Sequence, residues 1–274
     1  MRHCAMLRRA RLCAAFAIAV FAAATFAAQA AEDLFPAAAS AYLVKVGERV
    51  LWSGRAGERL PPASLTKIMT ALLAIEHGGL QQVVTVSAHA AGARGTRLGL
   101  RRGERISVAD LLSATVIRSA NDACRALAEW HSGSESAFVE RMNERAENLG
   151  LADTHFANAC GFDAPDHYSS AADIARLAEL ALADAHFAQL AKTVRTRAYT
   201  AGGRSFLFEN TNALLGRLPG TIGIKSGYTR KAGRCIAAAA DREGVRVLLI
   251  MLDAKNRWWD AHGMMERAFA LSQP

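Results

Sequence analysis

The sequence predicts an α+β protein in which segments from both chain ends form one antiparallel sheet and a helical block is inserted between them. β-rich runs occur at residues 41–52 and 221–254, and helical spacing of apolar residues dominates the region between them. The 274 residues are 51% hydrophobic, which is enough for a sizeable core. No internal repeat or low-complexity linker indicates a second domain.

The first thirty residues have the pattern of a secretory signal peptide. Four arginines within the first eleven residues precede an apolar run at 14–28, and Ala28-Gln29-Ala30 forms an A-x-A cleavage site. The run is short for a membrane span. We therefore predict a signal peptide at 1–30, one domain at 31–274, and export. A retained N-terminal anchor is the alternative, and we expect no other membrane contact.

Charge argues against nucleic acid as a partner. Removal of residues 1–30 takes away four arginines and no acid, so the formal net charge falls from +8 to +4. No basic tract interleaved with aromatic residues remains, and such a tract is the usual footprint of nucleic-acid binding. The mildly basic remainder is compatible with an anionic polymer such as cell wall.

The first β-rich run predicts a hairpin, because two short apolar stretches flank Gly47-Glu48. The next elements are helices. Apolar residues at 65, 68, 72 and 75 share one helical face, and Gly78-Gly79 ends that helix. Residues 107–130 contain two helical stretches, and Phe138 to Leu149 form another. Ser170 and Asp173 predict a capped start for a helix at 171–183.

The pattern changes after Thr193. Residues 221–229, 234–241 and 245–254 are predicted strands, the last two joined by a tight turn at 241–244. A helix at 258–271 closes the chain.

Three of the five cysteines lie beyond residue 30, at positions 124, 160 and 235. The chain has no C-x-x-C pair, which argues against zinc-ribbon and thioredoxin-like sites. We interpret each cysteine as a small buried hydrophobe. Whether one disulfide forms remains open, because the spacing of the three cysteines specifies no pairing.

The stretch PPASLTKIMT, residues 61–70, places Ser64 and Lys67 one helical turn apart. A serine hydroxyl is a poor nucleophile until a base takes its proton, and a lysine with a lowered pKa can serve as that base. The same pair is equally compatible with a helix cap beside a solvated lysine. This stretch alone leaves both interpretations open.

Two further motifs favour catalysis. Ser119-Ala120-Asn121 and Lys225-Ser226-Gly227 each occur once, downstream of Ser64 and Lys67. The order S-x-x-K, S-x-N, K-[ST]-G is that of penicillin-binding proteins and class A β-lactamases.

Longer stretches around these motifs resemble the low-molecular-weight D-alanyl-D-alanine carboxypeptidases, the S11 family of serine peptidases. The similar stretches are P-A-S-L-T-K-I-M-T-A, R-S-A-N-D-A-C, L-G-L-A-D-T-H-F, Y-S-S-A-A-D-I-A and G-I-K-S-G-Y-T-R-K-A-G. The resemblance covers residues 41–271. It implies a β-lactamase-like fold, a periplasmic or cell-wall location, and peptidoglycan stem peptides as substrates.

The resemblance also implies roles for individual residues. Ser64 is expected to be the nucleophile, Lys67 the base and Ser119 a proton relay to the leaving amine. The expected substrate-binding residues are Asn121, Lys225, Ser226, Gly227, Tyr228 and Arg257. β-Lactam antibiotics are expected to acylate Ser64 and to turn over slowly. No metal or cofactor is implied, and the oligomeric state is not specified.

The chain departs from the family pattern in three respects. Ser226 stands where Thr is usual, and Ala120 stands where Gly is common. The chain is also expected to lack the C-terminal β domain and amphipathic anchor of larger carboxypeptidases. This length, together with G-R-C-I-A after the third motif, resembles the D,D-endopeptidase branch. Cleavage of peptidoglycan cross-links is therefore the alternative activity.

Other classes fit less well. A class A β-lactamase carries an E-x-x-L-N segment for deacylation, and none occurs between Asn121 and Lys225. An inactive penicillin-binding sensor would need a membrane-spanning segment, which is missing beyond residue 30. No H-E-x-x-H motif supports a metallopeptidase. Cys124 falls within a predicted helix, so a cysteine hydrolase is also disfavoured.

Overall fold

The computed structural model describes residues 35–272, so the predicted signal peptide lies outside the described residues. The strands in this range are β1 Ala39–Val46, β2 Arg49–Gly54, β3 Val83–Thr85, β4 Arg105–Ser107, β5 Arg195–Tyr199, β6 Ser205–Glu209, β7 Thr221–Thr229, β8 Gly233–Arg242 and β9 Val245–Ala254. The α-helices in the same range are α1 Lys67–His77, α2 Ala88–Ala91, α3 Val108–Ser113, α4 Asn121–Ser132, α5 Glu135–Asn148, α6 Ala171–Ala183, α7 Ala185–Lys192 and α8 Arg257–Ala270.

A five-stranded antiparallel sheet unites the two ends of the chain, as predicted. Its strand order is β2-β1-β9-β8-β7, so the N-terminal hairpin pairs with the last strand. The register places Leu43 opposite Ile250, and Lys225 opposite Ala237. The strand that carries the third motif, β7, is therefore an edge strand.

Helices cover both faces of this sheet. Along β8, Ile236 and Ala238 face a core formed with α8, while Ala237 and Ala239 face the core of the inserted helical block. All four side chains are fully buried. Burial on both faces explains why β8 and β9 are continuous apolar runs rather than alternating ones.

The predicted helices are confirmed with small changes in their limits. Helix α6 spans Ala171–Ala183 as predicted, and the Ser170 hydroxyl accepts a hydrogen bond from the Asp173 N–H at 3.1 Å. Of the two interpretations left open for Ser64, the helix cap is not the one that the structure shows. Ser64 lies inside a 3₁₀ turn, Ala63–Thr66, and α1 begins only at Lys67.

The helical region 107–130 is interrupted at the second motif. Helix α3 continues into a π-helical turn, Ala114–Arg118, and Ser119 then adopts a left-handed conformation with φ of 62°. Helix α4 starts at Asn121. π-Helical turns are frequent at functional sites, and this one directly precedes the second motif.

Several short elements do not follow from the sequence pattern. They are the two-stranded sheets β3–β4 and β5–β6 and the helices α2 and α7. The strands β5 and β6 hold arginine, threonine, serine and glutamate beside apolar residues, so their alternation is weak. Three-residue strands such as β3 and β4 are too short to produce a periodic signal.

The sequence left open whether one disulfide forms, and the structure contains one. Cys124 and Cys160 form a disulfide with a Cα–Cα distance of 6.0 Å. The tertiary fold brings the two residues together across 36 positions. Cys235 is free and buried, as expected. Within residues 35–272, no helix is long and apolar enough to cross a membrane.

Candidate active site

Three separate parts of the chain meet at Ser64. They are the 3₁₀ turn that precedes α1, the junction between the π-helical turn and α4, and the edge strand β7. The fold thus brings all three sequence motifs together. A fourth segment, the irregular chain between α5 and α6, was not predicted to take part and contributes Cys160 and Gly161.

Lys67 is fully buried, and its Nζ lies close to three oxygen atoms. These are the Ser64 Oγ at 3.0 Å, the Asn121 Oδ1 at 2.8 Å and the Cys160 carbonyl oxygen at 2.5 Å. Burial, and then the positive charge of Lys225, lower the pKa of Lys67 well below its ordinary value. The site therefore favours a neutral amine.

The contacts of Lys67 fix the direction of its lone pair. A neutral amine has two N–H donors and one lone pair. The Asn121 Oδ1 and the Cys160 carbonyl oxygen can only accept, so they take the two N–H groups. The lone pair then faces the Ser64 hydroxyl, the group from which a base would remove a proton.

Asn121 is oriented by the backbone on its other side. Its Nδ2 donates to the Arg94 carbonyl oxygen at 2.6 Å, and its N–H donates to the Thr96 carbonyl oxygen at 2.8 Å. Because a carbonyl oxygen can only accept, the first bond assigns the Nδ2 side of the amide to Arg94 and leaves Oδ1 facing Lys67. Ser119, two residues earlier, is largely buried in its left-handed conformation.

Strand β7 contributes a second buried lysine. The Lys225 Nζ donates to the Ser226 carbonyl oxygen at 3.0 Å. Burial, and then the charge of Arg257, lower the pKa of Lys225 to about 7. The Ser226 hydroxyl contacts the Thr211 hydroxyl at 3.0 Å. A cation and a hydroxyl on adjacent positions suit an anionic group.

Gly227 brings β7 against Ser64. A Cβ at this position would lie 2.7 Å from the Ser64 backbone nitrogen, so a side chain cannot fit without displacement. The Arg257 Nη1 donates to the Gly227 carbonyl oxygen at 2.6 Å and to that of Cys235 at 3.0 Å. These contacts hold β7 beside β8. The Tyr228 side chain is mostly exposed.

Three findings place this chain among known proteins. The family model described as D-alanyl-D-alanine carboxypeptidase matches residues 26–256. The chain belongs to the D-alanyl-D-alanine carboxypeptidase family. It is 37% identical over 230 residues to D-alanyl-D-alanine carboxypeptidase DacF of Bacillus subtilis, covering 81% of this chain and 59% of that one. It is 34% identical over 255 residues to D-alanyl-D-alanine carboxypeptidase DacC of Escherichia coli, covering 86% of this chain and 62% of that one. It therefore spans about three fifths of these relatives' lengths.

Solved structures of family relatives confirm the predicted fold class. The DD-transpeptidase of Streptomyces K15 superposes with a TM-score of 0.79 at 29% identity, covering 85% of this chain and 97% of that one. A D-alanyl-D-alanine carboxypeptidase from Mycobacterium tuberculosis gives the same TM-score and identity, with 85% and 91% coverage. The fold of this family member is that of the DD-peptidases.

The sequence did not predict that Gly161 packs against the residues around Ser64, because this contact depends on how the backbone folds. A Cβ on Gly161 would lie 1.9 Å from the Ala63 carbonyl oxygen and 2.9 Å from the Ser64 nitrogen. Gly161 also has φ of +84°, a conformation that favours glycine. The glycine is therefore required for the chain between α5 and α6 to pack closely against Ala63 and Ser64.

We expect Gly161→Ala to lower the free energy of unfolding by at least about 3 kcal/mol. The clash of the new Cβ with the Ala63 backbone adds to the cost of placing alanine in a left-handed conformation. Gly133→Ala is the matched control. Gly133 has φ of +80°, but no atom lies within 4 Å of the position that a Cβ would occupy, so only the conformational cost of about 1–2 kcal/mol applies. Urea denaturation measures both. Equal losses would contradict the tight packing at Gly161.

A buried hydrogen-bond chain supports the residue before Ser64. Ala63 has φ of +48°, which is strained for a residue with a side chain. The Thr66 hydroxyl lies 2.9 Å from both the Ala63 carbonyl oxygen and the His167 Nε2. The Ala157 N–H donates to the His167 Nδ1, so the neutral ring carries its proton on Nε2 and donates to Thr66. Burial lowers the pKa of His167 to about 4.

Proposed function

We propose that this protein is a serine D,D-carboxypeptidase that removes the terminal D-alanine from peptidoglycan stem peptides through an acyl-enzyme on Ser64. The observation that carries the proposal is the Ser64–Lys67 contact of 3.0 Å around a buried lysine with a lowered pKa. Family membership supports the substrate class.

In the acylation step, the neutral Lys67 takes the Ser64 proton while Oγ attacks the carbonyl carbon between the two D-alanines. The N–H groups of Ser64 and Tyr228 stabilise the oxyanion. Ser119 then relays the proton held by Lys67 to the leaving amine, so that both residues end this step in their starting protonation states. The C–N bond breaks, D-alanine departs, and the remaining peptide is held as an ester on Ser64.

In the deacylation step, water attacks the ester carbonyl carbon and gives up a proton to Lys67. The C–O bond to Ser64 breaks, and Oγ regains its proton from Lys67. The shortened peptide leaves with a new carboxylate. Lys67 thus acts as base in both half-reactions, since the amine returns to its neutral state after each one.

Recognition of the substrate's C-terminal carboxylate is assigned to β7. Lys225 supplies a positive charge and Ser226 a hydroxyl at adjacent positions, with the charge of Arg257 nearby. Asn121 is placed to orient the substrate amide. This arrangement requires a free carboxylate one residue beyond the cleaved bond, which is the structure of a terminal D-Ala-D-Ala.

We expect kcat/KM to have a bell-shaped pH dependence. Protonation of Lys67 removes the base, so activity falls as the pH drops through its lowered pKa. Lys225 must be cationic to bind the carboxylate and has a pKa of about 7, so activity also falls as the pH rises beyond that value. Lys225→Arg keeps the cation at all pH values, and its alkaline limb should move upward. An unchanged alkaline limb would contradict the assignment.

The experiment that tests the proposed function is digestion of purified muropeptides. The wild type is expected to convert pentapeptide monomers to tetrapeptides with release of D-alanine, and Ser64→Ala is expected to leave them intact. Loss of cross-linked dimers with unchanged pentapeptides would instead establish an endopeptidase. Conversion by both proteins would contradict the role of Ser64.

We also propose export to the periplasm or cell-wall space. The signal-peptide pattern of residues 1–30 supports it. The Cys124–Cys160 disulfide supports it independently, because disulfides persist in oxidising compartments.

The charge of the surface beside the site suits an anionic polymer. Residues 94–105 and 195–204 together contain eight arginines and one acid, a net charge of +7, whereas residues 31–274 carry +4 in total. The two segments touch, since the Ala201 N–H donates to the Arg105 carbonyl oxygen at 2.8 Å. The first segment also accepts the bonds from Asn121. Positive charge is thus concentrated at one side of the site.

We expect salt to weaken activity on polymeric peptidoglycan several-fold. At an ionic strength of about 1 M the screening length is only about 3 Å, so attraction between exposed charges is lost. A short uncharged peptide that ends in D-Ala-D-Ala keeps only the buried Lys225 contact and should be less affected. The measurement is kcat/KM against salt for both substrates. Equal salt dependence would contradict a role for the arginine surface.

A further inference from the structure

The two groups that accept hydrogen bonds from Lys67 lie on different parts of the chain. Asn121 begins helix α4, and Cys160 lies in the irregular segment between α5 and α6. The disulfide joins these same two parts, because Cys124 is on α4 one turn after Asn121 and its partner is Cys160 itself. The disulfide therefore links the two segments that provide these acceptors for the Lys67 amine.

The carbonyl of Cys160 must be held closely for the proposed chemistry. It takes one of the two N–H groups of the neutral amine, and that contact helps to point the lone pair at Ser64. The next residue, Gly161, presses against Ala63 and the Ser64 nitrogen. A small shift of this segment would change both the direction of the base and the access of water to it.

We propose that the Cys124–Cys160 disulfide is a positioning element of the catalytic site, which fixes the Cys160 carbonyl against Lys67 and so accelerates acylation of Ser64. This inference rests on the proposed function. It assigns the disulfide a role in the reaction in addition to any effect on stability.

The rest of the segment is anchored well enough for disulfide-free variants to fold. The Asn158 Oδ1 accepts hydrogen bonds from the N–H groups of Cys160, Gly161 and Phe162, at 3.2, 2.8 and 2.9 Å. The Thr70 hydroxyl donates to the Ala159 carbonyl oxygen at 2.6 Å. Removal of the disulfide is therefore expected to loosen the segment rather than to unfold it.

The test measures acylation by a fluorescent penicillin as a function of pH. The proteins are the wild type, Cys124→Ala, Cys160→Ala and the double variant. Met264→Ala is the control for lost stability without a change near the site, because Met264 lies on α8 and packs against the opposite face of the sheet. Peptide mapping without reductant first establishes that Cys124 and Cys160 are linked in the exported wild type.

Each cysteine variant is expected to be acylated about tenfold more slowly, and the double variant no more slowly than either single one, since each change removes the same bond. The acidic limb of the pH profile is expected to move to higher pH, because burial is the main cause of the low Lys67 pKa and a looser segment admits water. Met264→Ala should keep the wild-type rate and pH profile.

Two results would overturn this inference. One is wild-type rates and pH profiles in cysteine variants that have lost thermal stability, which would make the disulfide purely structural. The other is free thiols at both positions in the exported protein. If penicillin fails to acylate even the wild type, the proposed function is overturned and this inference with it.

Discussion

Replacement of Ser64 by alanine is expected to lower the release of D-alanine from a D-Ala-D-Ala peptide by at least about 10⁴-fold. The variant lacks the hydroxyl that we propose to form the acyl-enzyme, while the proposed oxyanion donors and Lys225 remain in place. Binding of the peptide should therefore change much less than turnover. Single-turnover kinetics with a labelled peptide, together with a direct binding measurement, separates the two quantities.

The matched control for this variant is Ser53→Ala. Ser53 is exposed on β2, at the edge of the sheet opposite β7, so its loss should leave D-alanine release unchanged. A Ser64→Ala protein with more than a small fraction of wild-type turnover would show that another group is the nucleophile.

Replacement of Lys67 by alanine is expected to slow acylation by about 10²- to 10⁴-fold, the usual contribution of a general base. Lys67→Arg should be impaired to a similar extent, because a guanidinium stays protonated and offers no lone pair. Acylation by penicillin, followed as loss of free enzyme, measures both variants.

The control for the Lys67 variants is Lys192→Ala, which removes an exposed lysine at the end of α7. It should be acylated at the wild-type rate. Wild-type acylation of Lys67→Arg would show that the residue acts only as a positive charge, and the neutral-base mechanism would then be wrong.

The sheet and most helices could be predicted because their signals are local. The apolar runs of β8 and β9, the turn between them and the cap at Ser170 each lie within a short stretch of sequence. The start of α1 was placed too early because the sequence does not distinguish a 3₁₀ turn at Ala63–Thr66 from the first turn of an α-helix. The left-handed Ser119 likewise has no local signal.

The site residues could be predicted by type but not by environment. Motif order identified Ser64, Lys67 and Lys225 as candidates that act together. Their sequence positions do not show that both lysines are buried, and burial is the main cause of their lowered pKa values. The Lys67–Asn121 distance arises only when α1 and α4 pack together.

The contribution of Cys160 could not be predicted from residue type. Its contact with Lys67 is made by a backbone carbonyl, which every residue has. Its pairing with Cys124 depends on how the segment between α5 and α6 crosses α4, and three cysteines allow three pairings. The requirement for glycine at position 161 could not be predicted either, since it comes from contact with Ala63 rather than from a turn motif.

The central claim is that Ser64, activated by a neutral Lys67, forms a covalent acyl-enzyme. Intact-protein mass spectrometry after incubation with benzylpenicillin tests it most directly. We predict that the wild type gains the mass of one penicillin, that proteolysis places the added mass on the peptide that contains Ser64, and that Ser64→Ala gains nothing. An adduct on a different residue, or an equal mass gain in Ser64→Ala, would contradict the account.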